Sequence, residues 1–389
     1  MSQDTFTEFS EESWFSRIKN SLVGILFGLV LIPICTIALF WNEGRAVRTA
    51  SALGEAQKLA VSVAADPVNP ANEGKVVHLT GQVVTDQTLA DPEFGVMAKA
   101  LKLKRNTEMY QWVESSSETS SKNLGGSTTK EKTYTYKKEW RSELVDSSKF
   151  RQQQDHVNPT SMRYPGRETV ASPVNLGAFA LSSSLLGKVQ SYAPLPLPAA
   201  DSLPGAIKGQ AKPAGGFLYF GARPDSPIVG DQRVAFQVVT PCTVSLVSKQ
   251  VGKSFEPFVS KNGNKVEMLV PGEHGAVEMF QQAKKDNSLL TWILRGICIV
   301  FMWIGFLLIF KPIQVLADII PFLGNLVGFG TALLALAFAL PLSFITIAVA
   351  WIWYRPLLGI ALLAVAGGVV YWVIKNRKGN LATTPLASP

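Results

Sequence analysis

Hydrophobic and polar positions are spread very unevenly along this 389-residue chain. Residues 21–41 carry no charge, and beyond Asp286 only Arg295, Lys311, Asp318, Arg355, Lys375, Arg377 and Lys378 are charged. The gaps between them are filled with Leu, Ile, Val, Ala, Phe and Gly. A helix needs about 20 apolar residues to cross a bilayer, and a soluble fold has little use for such runs. The pattern predicts four transmembrane helices, at 21–41, 289–310, 328–354 and 357–374. Trp41, Trp351, Trp353, Tyr354, Tyr371 and Trp372 fall near their ends, where aromatic rings suit the headgroup level. Pro341 predicts a kink in the third helix. Arg355-Pro356 makes the turn into the fourth very short.

Two places interrupt this pattern. Residues 311–327 are apolar around the single charge of Asp318, with Ile319 and Phe322 beside it and prolines at 312 and 321. If those prolines end helices the segment is too short to span. It then reads as an interfacial or re-entrant helix with its apolar face in the acyl boundary, a fifth span being the alternative. Arg295 lies about two turns into the second helix, close enough to an end to snorkel to the interface. Pairing with a carboxylate inside the bundle is the other reading, since a charge at helix centre costs about 2.5–3.5 kcal/mol.

The polar insertion at 42–288 holds 29 Lys+Arg and 24 Asp+Glu. That mild basic excess falls well short of a nucleic-acid footprint, so no nucleic acid is expected as a partner. Short β-branched and aromatic stretches separated by turn residues predict strands at 76–84, 101–113, 132–142, 216–221, 233–239, 243–251 and 265–270. Tyr134 and Tyr136 share one strand face by alternation, and Tyr110, Trp112 and Glu114 share another. The Ser/Thr/Gly tract 115–130 between them predicts a flexible hairpin tip. Five prolines in 192–215 mark a linker between two halves, 42–191 and 216–288. The halves share a faint pattern, 74–84 against 230–239, each followed by a strand, a basic turn and another strand. A duplicated β unit and a chance match between β-rich stretches both fit it.

Only 17% of the chain is charged, against about 25% in soluble proteins, which agrees with an integral membrane protein. Cys35 and Cys298 lie in apolar runs, so Cys242 is alone in the polar part and a disulfide framework is excluded there. The absence of an N-x-S/T acceptor with a permitted middle residue points towards a bacterial source. The long uncharged core and acidic flank of residues 1–41 suit an uncleaved anchor better than a signal peptide. Four spans place both tails on one side. The basic residues Arg17, Lys19 and 375–378 put residues 1–20 and 375–389 in the cytoplasm and the insertion outside it.

The segments Asn42-Glu43-Gly44-Arg45-Ala46, Glu108-Met109-Tyr110-Gln111-Trp112-Val113-Glu114, Glu139-Trp140-Arg141-Ser142-Glu143, Gly230-Asp231-Gln232-Arg233-Val234 and Trp353-Tyr354-Arg355-Pro356-Leu357 closely resemble the LUMA family, also called transmembrane protein 43. The order and spacing match from about residue 12 to the tail. The resemblance implies four spans, a large extracytoplasmic domain between the first two, and self-association. Animal members reside in the endoplasmic reticulum and inner nuclear membrane and bind emerin and lamins. The corresponding location in a bacterial cell is the inner (cytoplasmic) membrane.

Catalytic patterns are absent from the sequence. His78, His156 and His274 are far apart along the chain, and neither a Walker loop nor a G-x-G-x-x-G after a strand occurs. Asp91 with Glu93, and Glu139 with Glu143, read as solvated charges rather than an acid–base pair. The expectation is therefore a non-enzymatic membrane scaffold without a cofactor or metal. Its partners would be lipids, further copies of itself and unidentified membrane or extracytoplasmic proteins. Gly24 and Gly28 supply the small-xxx-small spacing that lets helices approach, and Gly324 and Gly328 repeat it. The alternative is an ion channel or transporter component using Arg295 and Asp318, because ionisable residues at membrane depth default to function.

Overall fold

A computed structural model describes residues 4–356. The fourth helix expected at 357–374 and the tail at 375–389 lie outside the described residues. The chain divides into two units, one built mainly from 52–121 and 129–282, the other from 11–51, 122–128 and 283 onward.

The first unit is built on two large sheets, with two small two-stranded ones beside them, around a main core. Its strands include β1 (Asp4–Glu12), β2 (Val76–Val84), β3 (Lys102–Lys122), β4 (Thr128–Arg141), β5 (Ala211–Ala214), β6 (Phe217–Phe220), β7 (Gln232–Val239) and β8 (Cys242–Val251). One sheet runs β1-β4-β3-β7-β6-β5. The other is centred on the antiparallel pair β2–β8, with His78 opposite Val247. Period-two alternation drives Val234, Phe236 and Val238 of β7 inward, where they meet Leu79, Val83, Val244 and Leu246 of the other sheet in one buried cluster. Phe94 anchors it, with Tyr164, Phe220 and Phe236 in edge-on or tilted contact at 5.3–6.0 Å.

Three expectations change here. The strand foreseen at 101–113 continues to Lys122, and its partner begins at Thr128, so the turn is only five residues, Asn123–Ser127, closed by Asn123 N donating to Ser127 O at 2.9 Å. Ser and Thr lack the apolar alternation that signals a strand, yet their backbones pair as well as any others. The 192–215 segment is also more than a linker. Ala193–Leu195 pairs with β7 and Ala211–Ala214 with β6. Thirdly, β3 passes without a break through the place where the proposed repeat needs a turn, whereas β8 does turn, into Ser254–Glu256.

Among the described residues, the second unit contains three helices long and apolar enough to cross a membrane: α1 (Trp14–Leu59), α2 (Ala276–Ala317) and α3 (Pro321–Tyr354). Residues 311–317 complete α2 and 321–327 open α3, so no separate interfacial helix occupies 311–327. Pro312 is carried inside α2, whereas Pro321 stands at the start of α3, where a missing N–H costs nothing. Ile319, Ile320, Phe322 and Leu323 remain exposed around the turn.

α1 and α2 pack antiparallel at close range. A Cβ at Gly28 would stand 2.5 Å from the Gly305 carbonyl oxygen, and one at Gly305 would stand 2.8 Å from Ile32. Seven residues beyond Gly28 is Cys35, and seven further is Asn42. Seven residues before Gly305 is Cys298, and seven before that is Thr291. Asn42 Nδ2 donates to the Thr291 carbonyl at 3.2 Å. Contact at both ends of this double heptad spacing makes it a seam of small and polar residues along the helix pair. Gly28 is thus used within the chain, while a Cβ at Gly24 would meet Leu308 at an ordinary 3.7 Å.

Candidate functional site

The charges that the helices carry at apolar depth are gathered into two networks. The first joins all three helices. Arg295 of α2 donates from Nε and Nη2 to the two carboxylate oxygens of Glu43 of α1, at 2.6 and 2.7 Å. Trp351 of α3 donates from Nε1 to the same carboxylate at 2.8 Å. Glu43 is 2% exposed and Arg295 9%. The Arg295 guanidinium also lies 4.5 Å from the Trp292 ring centre. Arg295 therefore does not snorkel to the interface. It is paired inside the bundle, because a bidentate carboxylate is within reach and offsets the loss of water.

Beside this network Arg45 donates to Asn287 Oδ1 at 2.9 Å and to Thr291 Oγ1 at 2.9 Å. Gly44 is pressed against Tyr354, whose ring a Cβ would meet at 2.5 Å. Phe40 packs on the same ring at 5.2 Å. The Arg355 backbone N–H closes α3 on the Trp351 carbonyl at 2.7 Å, and Pro356 follows. Glu43 and Gly44 thus meet Trp351 and Tyr354, although more than 300 residues separate them, while Asn42 and Arg45 turn to Asn287 and Thr291 of α2.

The second network surrounds Asp318, which is fully buried in the α2–α3 turn. Its Oδ1 accepts from Lys122 Nζ at 2.6 Å and its Oδ2 from the Arg17 guanidinium. Lys122 also donates to Asn325 Oδ1 at 2.9 Å. Gly324 has to be glycine, since its Cβ would collide with the Asp318 carboxylate. Ile319 and Phe322 lie outside this network and face outward.

Tyr110, Trp112, Trp140 and Arg141 belong to the β-rich unit. Tyr110 and Trp140 pack at 5.2 Å, and the Arg233 guanidinium covers Trp140 at 4.5 Å. Trp112 meets His156 edge-on at 4.6 Å. Arg141 pairs with Glu139 at 2.6 Å on the surface. Asp91 and Glu93 are not simply solvated. Both face the buried Arg105, and Asp91 is itself buried. His78 and His274 meet across the fold, the His78 ring lying 2.8 Å from the His274 carbonyl oxygen and 3.1 Å from Ser62 Oγ. An open cleft of about 820 Å³ lies over the outer face of β3 and β7, floored by Glu108–Arg233 and Asn106–Gln237 pairs and bordered by Lys104, Arg167 and Phe217.

Glu43 is the residue whose role the charge pattern hides. It lies two positions past Trp41, where the apolar run ends, and so reads as a flank. The signal that finds it is the heptad seam, which makes the adjacent Asn42 a packing position.

Apolar helices joined by buried ion pairs, with a β-rich domain inserted between the first two, define a multi-pass membrane protein. The family model described as Transmembrane protein 43 matches residues 109–356. Transmembrane protein 43 of Rattus norvegicus is 34% identical over 362 residues, 90% of this chain and 89% of that one. The Homo sapiens protein is 33% identical over 368 residues, 92% and 91% of the two chains. A Drosophila melanogaster protein named Transmembrane protein 43 homolog is 31% identical over 369 residues, 90% and 94%. The chain belongs to the transmembrane protein 43 family. No solved structure matches it.

Proposed function

We propose that this protein is a non-enzymatic membrane scaffold that self-associates and organises membrane structure or membrane protein complexes. The observation that carries this reading is the closure of both helix networks. Arg295 and Asp318, the side chains a conduction pathway would use, are each held by partners of opposite charge. A paired, immobile charge ties helices together and offers no site for a passing ion. Meanwhile Leu26, Phe27, Ile37, Phe329 and Phe344 leave broad apolar surface outside the three-helix contacts, suited to lipid and to further helices. The exposed apolar turn Ile319–Leu323 takes over the lipid-contacting role foreseen for an interfacial helix.

In this reading the β-rich domain supplies the contacts with other proteins, and its cleft over β3 and β7 is a surface for them. Although β3 lacks the turn that the repeat calls for, the strand pairing supports an origin by duplication. β2 of the first half pairs with β8 of the second, and β3 of the first half pairs with β7 of the second, the reciprocal exchange that a two-fold related pair of units would make.

Reconstitution into liposomes separates a scaffold from a channel. The expected result is ion flux no greater than in protein-free liposomes. Ion-selective flux that Asp318→Asn abolishes would overturn the scaffold reading.

A further inference from the structure

Three polar groups stand unpaired in one corner of the β-rich unit. Gln232 opens β7 opposite Phe220 of β6, with its side chain on the buried inner face that it shares with Val234 and Phe236. Its Oε1 accepts from the Tyr164 backbone N–H at 3.2 Å, while its Nε2 has no hydrogen-bond partner among the described residues. Tyr164 leans on Phe220 at 4.5 Å between ring centres, and its hydroxyl is unpartnered. Thr107 of β3, paired with Val234 and so diagonal to Gln232 on the same face, has an unpartnered Oγ1. A buried donor left without a partner forfeits its bonds to water and gains none in return. Three such groups side by side call for a polar partner.

There is room for one. Gln232, Phe220 and Arg163 line a pocket of about 350 Å³, open to solvent, together with Gly221 and Gly230. One water takes about 30 Å³, whereas pockets for small molecules begin at about 300 Å³. Arg163 is exposed, rests its guanidinium on the Tyr164 ring at 5.0 Å and pairs with no carboxylate among the described residues. The acids nearby are already engaged. Asp91 and Glu93 face Arg105. Asp231 points by alternation to the other face of the sheet, where it accepts from the Tyr219 hydroxyl and, at 2.9 Å, from the Ile228 N–H. An unpaired cation, an unpaired buried donor and an aromatic wall suit an anion with a flat or apolar body.

We infer that this pocket binds a small organic carboxylate. Arg163 and Gln232 Nε2 supply donors to its oxygens, and Phe220 packs against its body. The Tyr164 and Thr107 hydroxyls meet a further polar group where the ligand carries one. The pocket is built wholly from the β-rich unit, so the inference stands apart from the scaffold reading and from the number of copies in the particle.

The test titrates butyrate, benzoate and 4-hydroxybenzoate against the full chain in detergent, with benzyl alcohol as the uncharged control, and reads binding by saturation-transfer NMR. The expected result is saturable binding of at least one carboxylate that benzyl alcohol does not displace. Arg163→Gln, a change at an exposed side chain, should weaken it by up to about fivefold. Gln232→Met, which removes the donor at similar volume, should weaken it about tenfold or more. Unfolding temperatures are measured alongside, and Arg163→Gln carries the test if Gln232→Met loses the fold. Failure of all three carboxylates to bind, the behaviour of a pocket that holds water alone, would overturn the inference. So would binding that benzyl alcohol displaces or that Arg163→Gln leaves unchanged.

Discussion

Tyr136 illustrates what a single side chain contributes to the β-rich unit. It is buried, stacks on His156 at 3.8 Å between ring centres, and donates its hydroxyl to Glu114 at 2.8 Å. Burial first, and the bond to Glu114 second, push its phenol from the usual 10 up to about 12. The fold therefore favours the protonated form. The stabilisation is fully present below pH 10 and is lost as pH rises through about 12. Absorbance at 295 nm should show several tyrosines ionising late in the native protein, because burial and carboxylate partners also push Tyr192 and Tyr219 up, and Tyr136→Phe should lower the amplitude of the late phase near pH 12 by one residue. Alternation along 133–140 placed Tyr134 and Tyr136 on one face, and both are buried together with Phe150. The stacking on His156 could not be read, because it depends on where a loop more than a dozen residues away returns.

Among the elements, the decisive relation is that of α1 to α2 and α3. Hydropathy located all three apolar runs, since nothing else in a chain produces so many consecutive uncharged positions. It misjudged their ends. α1 extends from Trp14 to Leu59 and α2 from Ala276 to Ala317, because helix geometry tolerates polar residues at both ends once the apolar middle is packed. That extension is what brings Glu43 inside to face Arg295. Removing one partner of a buried pair leaves an uncompensated charge and costs about 3–5 kcal/mol, whereas replacing both with apolar groups is often neutral or stabilising. Arg295→Met should therefore lower the unfolding temperature in detergent markedly. Adding Glu43→Leu to it should restore most of the loss, and a double variant no better than the single would show that the pair does not act as a unit. The same helices show why Gly24 and Gly28 are not equivalent despite one motif, since a Cβ at Gly28 would stand 2.5 Å from a backbone carbonyl oxygen and one at Gly24 an ordinary 3.9 Å.

For the molecule as a whole, the order of parts was legible: an apolar helix, a strand-rich insertion, and further apolar helices. Each part announces itself by its own period or by its lack of charge. What stayed hidden was the joinery. The Asp318 clamp draws on Arg17, Lys122 and the 318–325 turn, three segments that no local pattern links. The proposed self-association rests on the broad apolar faces left outside the described helix contacts. The measurement that tests it most directly is the mass of the particle released from native membranes in a gentle, lipid-retaining detergent. The account predicts a particle holding more than one copy of the chain, stable to dilution. A particle with a single copy at every concentration, still binding lipid and still folded, would contradict it.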